Sequence, residues 1–264
     1  MGEATLYEKK DHIAVLTMNR PEARNAMNAA MRREMGEALA DFKDDNDSWV
    51  LILTGAGDKA FSAGMDLKEM AAGLAGRGSG GGGRGTGDES KVPSLMAGNI
   101  DIWKPIIAAI NGVAVGGGLE TALACDIRIA AAGVQMGLSE PKRGIIPGGG
   151  GMARLPRLVN LGAALEIMMT GDLISAEEAY RIGLVNHVVP GNELMDAAYD
   201  MARRMTVVAP LAVQAIKETV RKNLDMPLKE ALPARFGPNV MASEDAREGT
   251  AAFGEKRPPV WKGR

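Results

Sequence analysis

Two glutamates stand out because of the residues around them. Glu120 closes the stretch Asn111-Gly-Val-Ala-Val-Gly-Gly-Gly-Leu-Glu120. Glu140 lies within Gly137-Leu-Ser-Glu-Pro-Lys-Arg-Gly-Ile-Ile-Pro-Gly-Gly-Gly-Gly151. A lone glutamate is far more often a solvated surface group than a catalyst. Each of these two, however, stands beside glycine-rich and otherwise apolar sequence. A carboxyl in such a pocket has a raised pKa and can shuttle protons near neutral pH. Pro141, directly after Glu140, restricts the local backbone.

The glycines carry a second kind of chemistry. Gly116, Gly117 and Gly118 fall where a strand ending near residue 110 gives way to a helix that begins about Gly118. Helix N-termini present N–H groups with no internal partner, and glycine lets a ligand approach them. Such a junction suits negative charge, including charge that develops on a carbonyl oxygen during reaction. Phe61-Ser-Ala-Gly-Met-Asp-Leu-Lys68 repeats the arrangement after another strand, with Asp66 as a reasonable cap for the helix that follows. Close helix–strand packing accounts for the glycines alone equally well. Dinucleotide binding does not fit, since neither junction carries G-x-G-x-x-G and the strand–helix timing is wrong for a Rossmann opening. Ser139-x-x-Lys142 lacks the companion motifs of penicillin-recognising enzymes.

Composition narrows the field. A formal net charge of −2 over 264 residues argues against nucleic acid as a partner, although a local basic patch could hold a phosphorylated small molecule. The single cysteine, Cys125, precludes an intramolecular disulfide and reads as a small core residue. With only two histidines, His12 and His187, a His-rich metal site or a Ser/His/Asp triad is a poor expectation; His187, inside an apolar run, reads as structural. The opening Met-Gly-Glu-Ala-Thr-Leu has no signal-peptide core, and no run reaches the roughly 18 apolar residues of a membrane span. The expectation is a cytoplasmic protein with no membrane association.

The elements that must position these groups are legible as periodicities. Short apolar runs at 12–18, 49–54, 106–110, 126–131 and 184–189 read as strands. Met27, Met31, Met35, Leu39 and Phe42 mark one face of a helix between the first two. Ser175-Ala-Glu-Glu178 is a capping-box pattern. From about 192 onward only helical stripes appear, first Leu194, Ala198, Met201 and Met205, then Leu211, Ala215, Ile216, Thr219 and Val220. The reading is a layered α/β fold, with a core over 1–190 and a helical region over 191–264. The low-complexity glycine-rich run 76–87 reads as a mobile surface loop rather than a phosphate cradle.

Taken in order, these segments resemble the enoyl-CoA hydratase/isomerase (crotonase) family over essentially the whole chain. Ala60-Phe-Ser-Ala-Gly-Met-Asp-Leu-Lys-Glu-Met70 is similar to its first oxyanion-hole segment. Ile107-Ala-Ala-Ile-Asn-Gly-Val-Ala-Val-Gly-Gly-Gly-Leu-Glu120, with Ala124-Cys-Asp-Ile-Arg128, is similar to its second. The likeness extends through Asn19-Arg-Pro21, Asn25-Ala26, Leu155-Pro-Arg157, Thr170-Gly171, Ala176-Glu-Glu-Ala179, Gly183-Leu-Val185 and Arg247-Glu-Gly249 to Phe253-Gly-Glu-Lys-Arg257.

The resemblance implies a crotonase-like spiral of β-β-α units with a C-terminal helical trimerisation region, assembled as a homotrimer or homohexamer. It implies an acyl-CoA thioester as substrate, with its thioester oxygen held by the backbone N–H groups of Met65 and Gly117. Glu120 and Glu140 would be the acid–base pair of a 2-enoyl-CoA hydratase. Arg24, Ala63, Asp66, Leu67, Lys68, Gly116 and Lys256 would contact substrate, Lys256 reaching in from a neighbouring subunit. No metal or further cofactor is implied, coenzyme A being part of the substrate. Isomerase, lyase, carnitinyl-CoA-type and aromatic acyl-CoA reactions remain open within the family, the last two because Lys142-Arg143 replaces residues that tend to be apolar in short-chain hydratases. Outside it, a non-catalytic CoA-binding scaffold is disfavoured by the intact glutamate pair.

Overall fold

The computed structural model describes residues 2–75 and 92–264; the glycine-rich run 76–87 lies outside the described residues. The chain opens with β1 (Thr5–Lys10) and β2 (Ile13–Met18), an antiparallel pair turned at Asp11 and His12, both left-handed at φ 52° and 66°. Asn28 caps α1 (Ala29–Asp44) by accepting the Met31 N–H. The stripe Met31, Met35, Leu39 and Phe42 is buried as expected. Met27 is not on that helix. It precedes the cap and forms a parallel bridge with Met65.

Three β-β units follow. They are β3 (Val50–Gly55) and β4 (Ala60–Ser62) leading to α2 (Leu67–Ala75); β5 (Ile106–Ile110) and β6 (Val113–Val115) leading to α3 (Gly117–Ala124); and β7 (Ile127–Ala131) with β8 (Gln135–Gly137). A short 3-10 turn at Glu140–Arg143 comes next, then α4 (Gly151–Leu158), α5 (Leu161–Thr170), β9 (Ile174–Ser175), α6 (Ala176–Arg181) and β10 (His187–Val189). The chain ends in α7 (Leu194–Thr206), α8 (Pro210–Asn223), α9 (Leu228–Ala231) and α10 (Glu244–Glu255).

The first strand of each unit joins a six-stranded sheet ordered β1-β2-β3-β5-β7-β10. The second joins a four-stranded sheet ordered β4-β6-β8-β9. Both sheets advance together, so the chain winds as the expected spiral of β-β-α units. Apart from the β1–β2 pair, the large sheet is parallel throughout. A parallel sheet must be covered on both faces, which is why β5 is apolar throughout and β3 over Val50–Leu53, both buried at every residue.

Successive residues of these strands feed two cores. Leu51, Leu53, Ile106 and Ala108 pack with Met31, Leu39 and Phe42 of α1 and Leu119 of α3. Val50, Ile52, Ile107 and Ala109 pack on the other side with Leu194, Ala198 and Ala202 of α7. The first helix beyond residue 190 therefore covers one face of the sheet. The stripe of α8 behaves differently, with Ile216 and Val220 left 64% and 55% exposed in the single chain.

Two local readings need correction. The strand expected at 184–189 begins only at His187, because Leu184 and Val185 turn off α6 with both amides bonded to the Ala179 carbonyl. His187 itself is exposed. Cys125 is buried, and burial pushes its thiol up to about 12, which leaves it an inert core group. Among the described residues no helix is long and apolar enough to cross a membrane.

Candidate active site

In the small sheet β4, β6 and β8 are parallel neighbours, with Ala60 beside Val113 and Ala114 beside Met136. Parallel strands end on the same side, so the segments leaving them converge. From β4 comes 63–66, from β6 comes 116–117, and from β8 comes Leu138 to Glu140. Met27 fixes the first segment from below, its N–H donating to the Gly64 carbonyl at 2.8 Å and its carbonyl accepting the Asp66 N–H at 3.1 Å. In such a bridge the amide of the middle residue, Met65, points away from Met27.

The first two segments touch through their backbones. A β-carbon on Gly64 (φ 89°) would sit 2.8 Å from the Val115 carbonyl oxygen and 3.0 Å from the Gly117 nitrogen. One on Gly117 would sit 3.5 Å from the Met65 nitrogen. The Met65 and Gly117 amides are thus neighbours. Gly117 opens α3, where a helix offers its N–H no internal partner. Neither N–H donates to a hydrogen bond among the described residues. Gly118 is a packing glycine, since a β-carbon there would lie 2.1 Å from the Ser62 carbonyl oxygen.

Glu120 sits on the first turn of α3 and is only 3% exposed. The Gly151 N–H donates to its Oε1 at 2.8 Å. β-carbons on Gly149 and Gly151 would come within 2.5 Å of Oε2 and 3.0 Å of Oε1, so a glycine turn is what fits around this carboxyl. Burial raises the Glu120 pKa; the Gly151 amide opposes that, and the Glu140 charge adds to it. Glu140 begins the 3-10 turn, with Pro141 next. Its Oε1 rests 3.2 Å from the β-carbon position of Gly116, and its buried Oε2 has no hydrogen-bond partner among the described residues. Burial raises the pKa of Glu140 as well, opposed by its own amide and the Arg143 guanidinium. Two poorly solvated carboxyls with raised pKa values therefore lie close to this junction, Glu140 against Gly116 and Glu120 on the helix that Gly117 opens. Burial thus favours the neutral form of each more than water would.

The remaining expected residues scatter more widely. The Ala63 N–H donates to the carbonyl of Arg24 at 2.9 Å. Arg24 is exposed and left-handed at φ 51° beside a surface cavity of ≈ 320 Å³ that Pro21, Asp58 and Lys59 also line. Asp66 caps α2 through the Lys68 N–H at 3.1 Å and pairs with Arg20 at 3.0 Å, which holds its carboxyl below the usual range. Its side chain is thus engaged within the chain. Leu67 and Lys68 are exposed on the first turn of α2. Lys256 ends α10 in left-handed conformation (φ 57°), and among the described residues no contact joins it to the amide pair of its own chain. Lys142 pairs with Asp172, and Arg143 donates to the Ser139 Oγ at 2.9 Å.

Residues 8–264 match the sequence model described as enoyl-CoA hydratase/isomerase. The chain belongs to the enoyl-CoA hydratase/isomerase family. It is 44% identical, over the full length of both chains, to carnitinyl-CoA dehydratase from Salmonella paratyphi A and to the protein of that name from Salmonella typhi. Among solved structures it resembles an enoyl-CoA hydratase from Mycobacterium tuberculosis, at 38% identity and a TM-score of 0.83 with both chains fully covered. It also resembles a short-chain enoyl-CoA hydratase described as putative from Novosphingobium aromaticivorans. There the identity is 35% and the TM-score 0.86, with 99% of this chain and all of the other covered.

Around these groups, sequence reasoning missed five residues. Met27 underlies the first amide segment. Met96 reaches over the second, its Sδ 3.5 Å from the β-carbon position of Gly117. Gly149 and Gly151 wrap Glu120; the run Gly148–Gly151 was visible, but nothing in the sequence tied it to a carboxyl. Arg154 had no signal at all.

Proposed function

We propose that the chain catalyses reversible addition of water across the 2,3 double bond of a 2-enoyl-CoA thioester. The observation that carries this reading is the pair of buried carboxyls beside two adjacent backbone amides. The thioester oxygen would accept from the Met65 and Gly117 N–H groups. Ionised Glu120 would take a proton from water as its oxygen bonds to C3. The electron pair would move through C2 onto the thioester oxygen, where each amide contributes about 3–4 kcal/mol to the developing charge. Protonated Glu140 would then deliver its proton to C2. The reverse sequence is dehydration. No resident cofactor or metal takes part in this proposal; coenzyme A enters with the substrate.

Arg24 and Lys68 would meet coenzyme A phosphates, Ala63, Asp66 and Leu67 would line the path toward Gly116, and Lys256 would serve a neighbouring subunit. Exposed Ile216, Val220 and Phe253 support the homotrimer or homohexamer that this sharing requires. We place the enzyme in the cytoplasm, consistent with its single, unpaired cysteine.

The full-length likeness to carnitinyl-CoA dehydratase favours a second reading within the same chemistry, with an acyl chain bearing a quaternary ammonium. A panel of crotonyl-, crotonobetainyl-, longer and aromatic 2-enoyl-CoA thioesters, run in ¹⁸O-water, tests both. Solvent oxygen should appear at C3 of the preferred member. Double-bond migration without oxygen uptake, or no turnover on any member, would sink the proposal.

A further inference from the structure

Arg154 lies on α4, within hydrogen-bonding reach of three main-chain carbonyls, two from the distant 95–96 segment and one from the turn that precedes its own helix. It donates to Leu95 and Met96 at 2.9 Å each and to Gly149 at 3.0 Å. Gly149 belongs to the turn whose next amide but one, Gly151, holds Glu120. Met96 is the residue whose thioether crowds both Gly149 and Gly117: a β-carbon on Gly149 would lie 2.5 Å from its Sδ. One guanidinium therefore ties together the turn around Glu120 and the segment covering the second amide.

Its fit is close. A β-carbon on Gly150 (φ 99°) would lie 2.0 Å from an Arg154 terminal nitrogen, and one on Gly98 3.4 Å from the other. Such a planar fork is specific to arginine, since a lysine ammonium cannot satisfy three divergent carbonyls in one fixed plane. Its hydrogen bonds go to main-chain carbonyls, and among the described residues no carboxylate forms an ion pair with it. Its charge acts on Glu120 across the turn and opposes the rise that burial imposes.

We propose that Arg154 is a positioning residue for proton transfer at Glu120, its guanidinium fork fixing the 149–151 turn against the 95–96 segment. The proposal rests on the hydration reading, which gives Glu120 the task of accepting the water proton. It involves no contact between Arg154 and substrate.

The test compares wild type with Arg154→Met and Arg154→Lys on the 2-enoyl-CoA found best in the panel, measuring kcat and KM from acidic to alkaline pH. Arg154→Met should lower kcat about 10–100-fold with KM changed less than about threefold, and should move the acidic limb of kcat to higher pH. Arg154→Lys keeps the charge and loses the fork. Its acidic limb should return toward wild type, while kcat recovers only in part. Should the Met variant not fold, the Lys variant decides: a wild-type kcat there overturns the proposal. Lower thermal stability with kcat and the acidic limb unchanged would also overturn it and leave Arg154 a strut. Lack of turnover by wild type would instead overturn the hydration reading, and this inference with it.

Discussion

The Oε1 of Glu140 lies 3.2 Å from the position that a β-carbon on Gly116 would occupy, and Gly116 holds φ 55°. A side chain there would displace the carboxyl and strain the turn that presents the Gly117 amide. Gly116→Ala should therefore lower kcat by roughly 10²-fold, near what the loss of one oxyanion donor costs. Steady-state kinetics on protein shown to be folded by circular dichroism would check it. An unchanged kcat would separate Gly116 from the chemistry.

Glu120→Gln and Glu140→Gln each remove one proton carrier while preserving shape. Each should lower turnover about 10²–10⁴-fold. Near-wild-type activity in both would refute a two-carboxyl mechanism. Loss in one alone would assign the proton work to that residue.

The raised pKa of Glu120 has a stability consequence whose sign is fixed. Its ordinary value is 4.5, and the folded chain holds the proton to higher pH. Between those two values the folded state binds more protons than the unfolded one, so wild type loses stability as pH rises through the window. Gln at this position never ionises and can still accept the Gly151 N–H. Glu120→Gln should therefore melt above wild type at neutral pH. The advantage should shrink to nothing below the ordinary carboxyl value. Calorimetry across pH would reveal it; a constant difference at all pH would contradict the assignment.

Gly118 provides a contrast. Its missing β-carbon faces the Ser62 carbonyl oxygen at 2.1 Å, a backbone atom that cannot swing aside. Gly118→Ala should destabilise the fold by about 1–3 kcal/mol, as overpacking does. Urea unfolding would measure it, and a loss below about 0.5 kcal/mol would show that β4 and α3 yield more readily than their contact implies.

How much of this was readable in advance depended on what each residue is buried against. β3 and β5 are covered on both faces, so Val50–Leu53 of β3 and all of β5 are continuous apolar runs and could be read directly. β4, β6 and β8 are three residues each, too short for any period to show, yet they aim the site. β1 escaped because only Thr5 and Tyr7 of its residues are buried. Glu120 and Glu140 were legible because glycine and apolar neighbours crowd them locally. Arg154 was not, because its partners at 95, 96 and 149 are main-chain carbonyls, and a carbonyl leaves no mark on residue identity.

The shared exit side of β4, β6 and β8 also bears on how such a catalyst can diversify. On the proposed reading the first turn of the winding supplies the Met65 amide, the next supplies the Gly117 amide together with Glu120, and the third supplies Glu140. A substitution, insertion or deletion beyond β8 can exchange that acid while the anion cradle keeps its shape, because that cradle is locked by contacts among earlier turns. If the proposed reading holds, thioester activation is the fixed part of the design and the fate of the activated intermediate the variable part.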